Sequence, residues 1–241
     1  MDAFNKHLIY CLCLSVLFLS LANVSQAGKV HVPPLILKMI IKSSEGDIPA
    51  LKEMISLGLD VNQKDAVGNT PLLFASRYGQ TSMVNFLLAK GANANAETFR
   101  GITALQESIR RGNMAVVHSL ILAGADIKHK DSHHETALFD AVKYRRIKAI
   151  DLLLNLGADV NIYNDKHIGP LLYAVETGQV EIAAKLIDSG AELDDTTSLY
   201  GSPLCIARQH QDNAMEFYLL KRGAHEMDCP EKYLYLAEWL P

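Results

Sequence analysis

The side chains that could do chemistry in this chain are few and scattered. The densest group is His129-Lys130-Asp131-Ser132-His133-His134. Its imidazoles and carboxylate are the ligand types zinc takes, but a zinc site also needs a second, spaced pair of ligands, and none accompanies this stretch. There is no Gly-x-Ser-x-Gly elbow, no phosphate-cradling glycine loop, no His-Glu-x-x-His and no Cys-x-x-Cys. The expectation is a protein that is not an enzyme, has no catalytic residues, and needs no cofactor and no metal. A metal-binding or enzymatic use of the His129–His134 stretch is the remote alternative. Of the four cysteines, Cys11 and Cys13 lie in an apolar run near the N-terminus. Cys205 and Cys229 remain as an even pair, open to two readings: a disulfide or two separate buried thiols.

A second set of residues is better placed for recognition than for catalysis. Arg77-Tyr78, Arg110-Arg111 and Lys143-Tyr144 recur at one fixed interval, and Phe99, Arg100 and His133 lie between them. Arginine and aromatic side chains are the usual anchors of protein interfaces. Against that, a surface helix carries charges in any case, and Arg is a good helix former. The chain's net charge is −4, which does not point to nucleic acid. Residues 65–163 hold 11 basic and 9 acidic side chains, while 164–241 hold 6 and 13. An acidic partner would therefore meet the middle of the chain.

The same interval governs more than these residues. Gly58, Gly91, Gly124, Gly157, Gly190 and Gly223 follow one another at that spacing without one insertion, which is the mark of a repeat array. In the same register stand Thr70-Pro71-Leu72, Thr103-Ala104-Leu105, Thr136-Ala137-Leu138, Gly169-Pro170-Leu171 and Ser202-Pro203-Leu204. A small residue follows three places on: Ala75, Ser108, Ala141, Ala174, Ala207. Bulky pairs precede the glycine loops: Leu87-Leu88, Leu120-Ile121, Leu153-Leu154, Leu186-Ile187, Leu219-Leu220. The columns predict a Thr- or Ser-capped helix with Pro in its first turn and Ala where a neighbouring helix comes close. A left-handed turn glycine follows at Gly46, Gly79, Gly112 and Gly178, replaced by Arg145 and Gln211 in two units. A second helix then presents its Leu pair to the core.

This pattern resembles the ankyrin repeat family, over about residues 35–229. The resemblance implies an all-α solenoid of stacked helix-turn-helix units with β-turn fingers, working by binding another protein rather than by bond-making. It also implies where a partner would sit: on finger tips and the exposed end of helix one, along the concave side. On this chain those positions include Arg77, Tyr78, Phe99, Arg100, Arg110, Arg111, His133, Lys143 and Tyr144. The expected partner is a protein with an acidic or mixed surface; no nucleic acid is expected, and the chain is expected to be a monomer. The residue after Thr-Pro-Leu, usually His in the family, is Leu73, Gln106, Phe139, Leu172 and Cys205. The family's buried His hydrogen bond should therefore be missing. Cys205 at this position would face the loop that holds Cys229.

Residues 28–241 are expected to form one domain. It comprises an N-terminal capping unit at 35–64, repeats at 65–97, 98–130, 131–163, 164–196 and 197–229, and a closing helix at 230–241 with Trp239 as a lid. Residues 1–27 lie outside it. Lys6 precedes an apolar run from Leu8 to Ala22, and Ser25 and Ala27 fit the small positions of a cleavage site. A spanning helix needs about 20 apolar residues, so the run reads as a cleaved signal peptide rather than an uncleaved anchor. The expected location is exported, periplasmic or secreted, in a bacterium. The chain would act as a scaffold, inhibitor or protective partner there, or alternatively as an effector aimed at a host or competitor protein.

Overall fold

The computed structural model describes residues 34–194 and 201–225. The expected signal peptide, Cys229 and the closing helix with Trp239 lie outside the described residues, as do Ser198 and Leu199 of the last finger. Twelve helices among the described residues form six consecutive pairs. They are α1 (Pro34–Glu45) with α2 (Ile48–Ser56), α3 (Pro71–Arg77) with α4 (Thr81–Ala89), and α5 (Ala104–Arg111) with α6 (Met114–Leu122). Then come α7 (Ala137–Lys143) with α8 (Ile147–Asn155), α9 (Pro170–Glu176) with α10 (Val180–Asp188), and α11 (Pro203–Gln209) with α12 (Asn213–Lys221). Each pair belongs to one period of the repeat, and the six periods are units 1 to 6 in chain order.

Helix one of each unit starts where the sequence places it. Thr70, Thr103, Thr136 and Ser202 are extended, and their hydroxyls accept the amides of Leu73, Gln106, Phe139 and Cys205 at 3.2, 3.3, 3.4 and 3.3 Å. Each such cap contributes about 1 kcal/mol. Pro71, Pro170 and Pro203 open their helices, where no amide is needed. Gly169 carries no capping side chain, and a Cβ there would come within 3.2 Å of the Tyr163 ring. Asp47 caps α2, accepting Ala50 N–H at 3.1 Å. The turn between the two helices is left-handed in every unit. Gly79 has φ 70°, and Arg145 and Gln211 take φ 55° and 56° in the same place. For an L-residue that conformation costs roughly 1–2 kcal/mol.

Ala75, Ser108, Ala141 and Ala174 are fully buried, where consecutive helix-one segments touch. Of each bulky pair, the first member (Leu87, Leu120, Leu153, Leu186 or Leu219) is fully buried. The second is only partly so in most units, and Leu220 is 36% exposed. Consecutive helical residues point about 100° apart, so both cannot face one core. Helices this short do not persist alone, and the stack supplies what each lacks. Among the described residues, no helix is long and apolar enough to cross a membrane.

Candidate protein-binding face

The last turn of helix one and the finger of the next unit bring five of the nine sequence-predicted residues together between units 3 and 4, while Arg77, Tyr78, Phe99 and Arg111 lie outside this group. Arg100, Arg110, His133, Lys143 and Tyr144 line one polar cleft of about 120 Å³, with Ile102, Asp131, Ser132 and Glu135 completing it. Backbone bonds join each finger to the next. Phe99 N–H donates to Val67 O at 3.2 Å, Ser132 N–H to Arg100 O at 2.8 Å, and Asp165 N–H to His133 O at 2.9 Å. Phe99 stands at the tip of the second of these fingers, 75% exposed. The same column holds Ala66, Ser132 and Asp165 in neighbouring fingers.

The run of cations differs from the expectation of a free basic stripe, because three of its members are committed inside the array. Arg77 donates to Glu107 through Nε at 3.0 Å and Nη2 at 2.9 Å, and its guanidinium lies 5.1 Å over the Phe74 ring. Arg110 donates through Nε to Asp140 at 2.7 Å and through Nη2 to Asp131 at 3.1 Å. Lys143 meets both Glu135 oxygens, at 3.2 and 3.3 Å. The physical reason is burial. These side chains sit at the junction of two units, where an unpaired charge would be costly. Tyr78 is likewise held, its ring stacked on Phe74 and packed on Ile36 and Ile40 of α1. His133 meets Asp165 through Nδ1 at 3.1 Å but keeps most of its ring in water. Phe99, Arg100, Arg111 and Tyr144 are exposed.

Asp140 is the electrostatic centre of this region. Its side chain is fully buried, and Oδ2 has no hydrogen-bond partner. Burial pushes the carboxyl up to about 7; Arg110 draws it down only in part, and Glu135 and Asp131 push it up further. Arg110 is itself raised: burial works against its charge, and Asp140 outweighs that. One guanidinium thus serves two carboxylates, Asp140 and Asp131, while Lys143 serves Glu135 beside them. Glu107, Glu135 and Asp140 are the residues sequence reasoning missed, and Asp131, read there as a candidate metal ligand, is instead a partner of Arg110. For Glu107 and Asp140 the signal was present, as an acid placed slightly less than one repeat after a base.

The histidine stretch disperses. His129 Nε2 meets Gly101 O at 2.7 Å and Glu97 at 3.1 Å, His133 turns to Asp165, and His134 holds a left-handed turn at φ 57°. No three His, Cys, Asp or Glu side chains converge on a metal-sized site among the described residues. Cys205 is disulfide-bonded, while Cys229, its expected partner, lies outside the described residues. The absent family histidine has a substitute in one unit. Gln106 is buried and donates Nε2–H to Glu135 O in the next finger at 3.0 Å.

A model of ankyrin repeats in three copies matches residues 38–131, 91–164 and 113–197. The chain belongs to the ankyrin-repeat family. No curated protein matches it. Ankyrin repeats imply protein–protein binding, on a scaffold that is usually non-catalytic.

Proposed function

We propose that this ankyrin protein captures a partner protein through the finger tips and helix-one ends of units 3 and 4, using Phe99, Arg100, Arg111 and Tyr144. The observation that carries the reading is Phe99, a large ring three-quarters exposed in a finger column otherwise filled by small or polar residues. An exposed aromatic beside arginine is the composition of an interface anchor. Arg100 and Arg111 add positive charge at the rim, so the fitting partner surface is apolar at its centre and acidic around it. Arg110 and Lys143 shape the cleft without offering free charge, and Arg77, outside it, is paired with Glu107. The chain acts after export, its signal peptide removed behind Ala27, as a periplasmic or secreted monomer that occludes or scaffolds its partner.

The binding claim is tested by affinity capture with the exported chain beside a Phe99→Ala/Arg100→Glu variant. Both side chains are exposed, so circular dichroism and melting should match the native chain. A protein held by the native chain and lost with the variant supports the face; equal capture by both places the interface elsewhere. Mass spectrometry of the exported protein checks the other half, with a mature N-terminus at Gly28 expected.

A further inference from the structure

Each unit is held to the next along two edges, one through helix one and its turn, the other through helix two and the glycine loop after it. The bonds repeat in columns. On the helix-one edge, the residue after the turn reaches back to a carbonyl of the preceding unit. Gln80 donates to Ser44 O at 2.9 Å, Asn113 to Ser76 O at 3.2 Å and Arg146 to Arg110 O at 2.7 Å. On the helix-two edge, an Asn at the end of the loop reaches forward and clamps the next loop from both sides. Asn62 donates to Gly91 O at 3.0 Å and accepts Asn93 N–H at 2.7 Å. Asn95 does the same with Gly124 O and Asp126 N–H at 3.1 and 2.8 Å, and Asn161 with Gly190 O and Glu192 N–H at 3.2 and 3.0 Å.

The helix-two column breaks at Lys128, and the helix-one column ends at Gln179 and at Asp212, which caps its own helix by accepting Met215 N–H at 3.0 Å. Between units 3 and 4 the loop position is Lys128, whose side chain has no amide with which to clamp the loop at Gly157–Asp159. That seam keeps its helix-one edge, through Arg146–Arg110, the Arg110–Asp140 pair and Gln106–Glu135. Between units 4 and 5 the helix-one edge lacks the reach-back bond but keeps the Phe139–Tyr173 ring contact and the bond from Asp165 N–H to His133 O at 2.9 Å. Gln179 turns its amide to Thr177 of its own unit at 2.6 Å, and its buried Oε1 has no partner. Lys143 likewise pairs within its own unit, with Glu135. The helix-two edge of that seam holds, through Asn161 and a Lys185–Asp151 pair at 2.7 Å. Between units 2 and 3 both edges are bonded, through Arg77–Glu107 and Asn113 on one and Asn95 on the other. Between units 5 and 6 both are bonded again, through Glu176–His210 at 3.0 Å, an Arg222–Asp188 pair and Asp194–His225.

We infer that the helix-two edge between units 3 and 4 is a hinge, opening while the helix-one edge of the same seam stays pinned. Opening there swings units 4 to 6 against units 1 to 3 about the Arg110–Asp140 and Arg146–Arg110 bonds. Arg111 and Tyr144 stay in register during the movement, because the edge between them is pinned. The hinge is independent of the binding reading, and its test uses no partner.

Amide hydrogen exchange on the full chain reads the hinge directly, since local opening sets local protection. Asp159 occupies the place of Asn93, Asp126 and Glu192 but lacks their clamp, so its amide should exchange at least about tenfold faster than that of Asp126. Lys128→Asn supplies the clamp and should bring Asp159 to the Asp126 rate. The reciprocal variant, Asn95→Lys, should release Asp126 by a similar factor. An exposed loop position tolerates both changes, and circular dichroism checks that the fold is kept. The hinge is overturned if Asp159 is as protected as Asp126 in the native chain, or if Asn95→Lys leaves Asp126 protected.

Discussion

Helix one of unit 4 meets its two neighbours through different chemistry. Toward unit 3 it offers Asp140, fully buried, to Arg110 at 2.7 Å. Toward unit 5 it offers Phe139, whose ring meets Tyr173 edge-on with centroids 5.5 Å apart. Tyr173 stands as far after Lys143 as Asp140 stands after Arg110. The same geometric slot is thus filled once by a salt bridge and once by a ring. An aromatic contact of this kind contributes about 0.5–1.5 kcal/mol beyond its buried area. A buried ion pair contributes little net stability over an apolar pair of equal volume, yet removing one member is severe. The charged seam therefore selects its neighbour, and the aromatic seam mainly adheres to it.

Breaking the charged seam should give the largest effect. Arg110→Ala leaves Asp140 buried without its cation and should cost about 3–5 kcal/mol, measured by urea unfolding. A loss below about 1 kcal/mol would mean the carboxylate is already neutral or solvated in the native state. This also moves the test of partner binding away from Arg110, since a variant there changes the fold as well as the face.

A pH series sharpens the same contrast at intermediate size. The folded Asp140 carboxyl lies up near 7 and its ordinary value is 3.8, so between those limits the folded state holds more proton than the unfolded one. Stability from this group is then highest at low pH and declines as pH rises from about 4 to about 7. Asp140→Asn should lower the melting temperature overall yet flatten that decline. A native profile that rises through this window would show that Arg110 keeps Asp140 ionised. Tyr173 is pushed up by burial, with Lys143 pulling against it, so the aromatic seam should be silent below about pH 8.

The smallest effect separates backbone from side-chain terms. Unit 4 turns on Arg145 at φ 55° where unit 5 turns on Gly178 at φ 63°. Arg145→Gly relieves the left-handed strain while touching neither seam, and should stabilise the chain by roughly 1 kcal/mol. A melting temperature that stays level or falls would mean the Arg145 side chain has a use on the surface that outweighs the strain.

The register was legible because it rests on local chemistry repeated from unit to unit. Thr103 and Thr136 announce caps, Gly79 and Gly112 announce turns, and Ala141 and Ala174 announce close helix approach, each without reference to any distant residue. The Leu pairs were half legible: Leu153 and Leu154 are both apolar, but only helical phase shows that Leu153 is the core member. The neutralisation of Arg77 and Arg110 was hidden, because their partners Glu107 and Asp140 lie one repeat on, less about one helical turn. A scan for opposite charges at that separation would have found both pairs. The exposure of Phe99 needed only the finger column. That Lys143 is spent on Glu135 of its own unit, leaving Arg100 and Arg111 at the rim, needed the folded structure.

The shared offset from each base to its partner also fixes which units evolution could remove. Deleting residues 98–130 would bring Arg77 opposite Asp140, a carboxylate in place of the lost Glu107, and the ladder would close over the gap. Deleting residues 131–163 would set Arg110 against Tyr173, with no acid to meet it. For the charge ladder alone one repeat can be lost and its successor cannot, although the two are the same length. The order of units in this array is therefore a lineage constraint written in charge, and only some histories of duplication and loss could have passed through a folded intermediate.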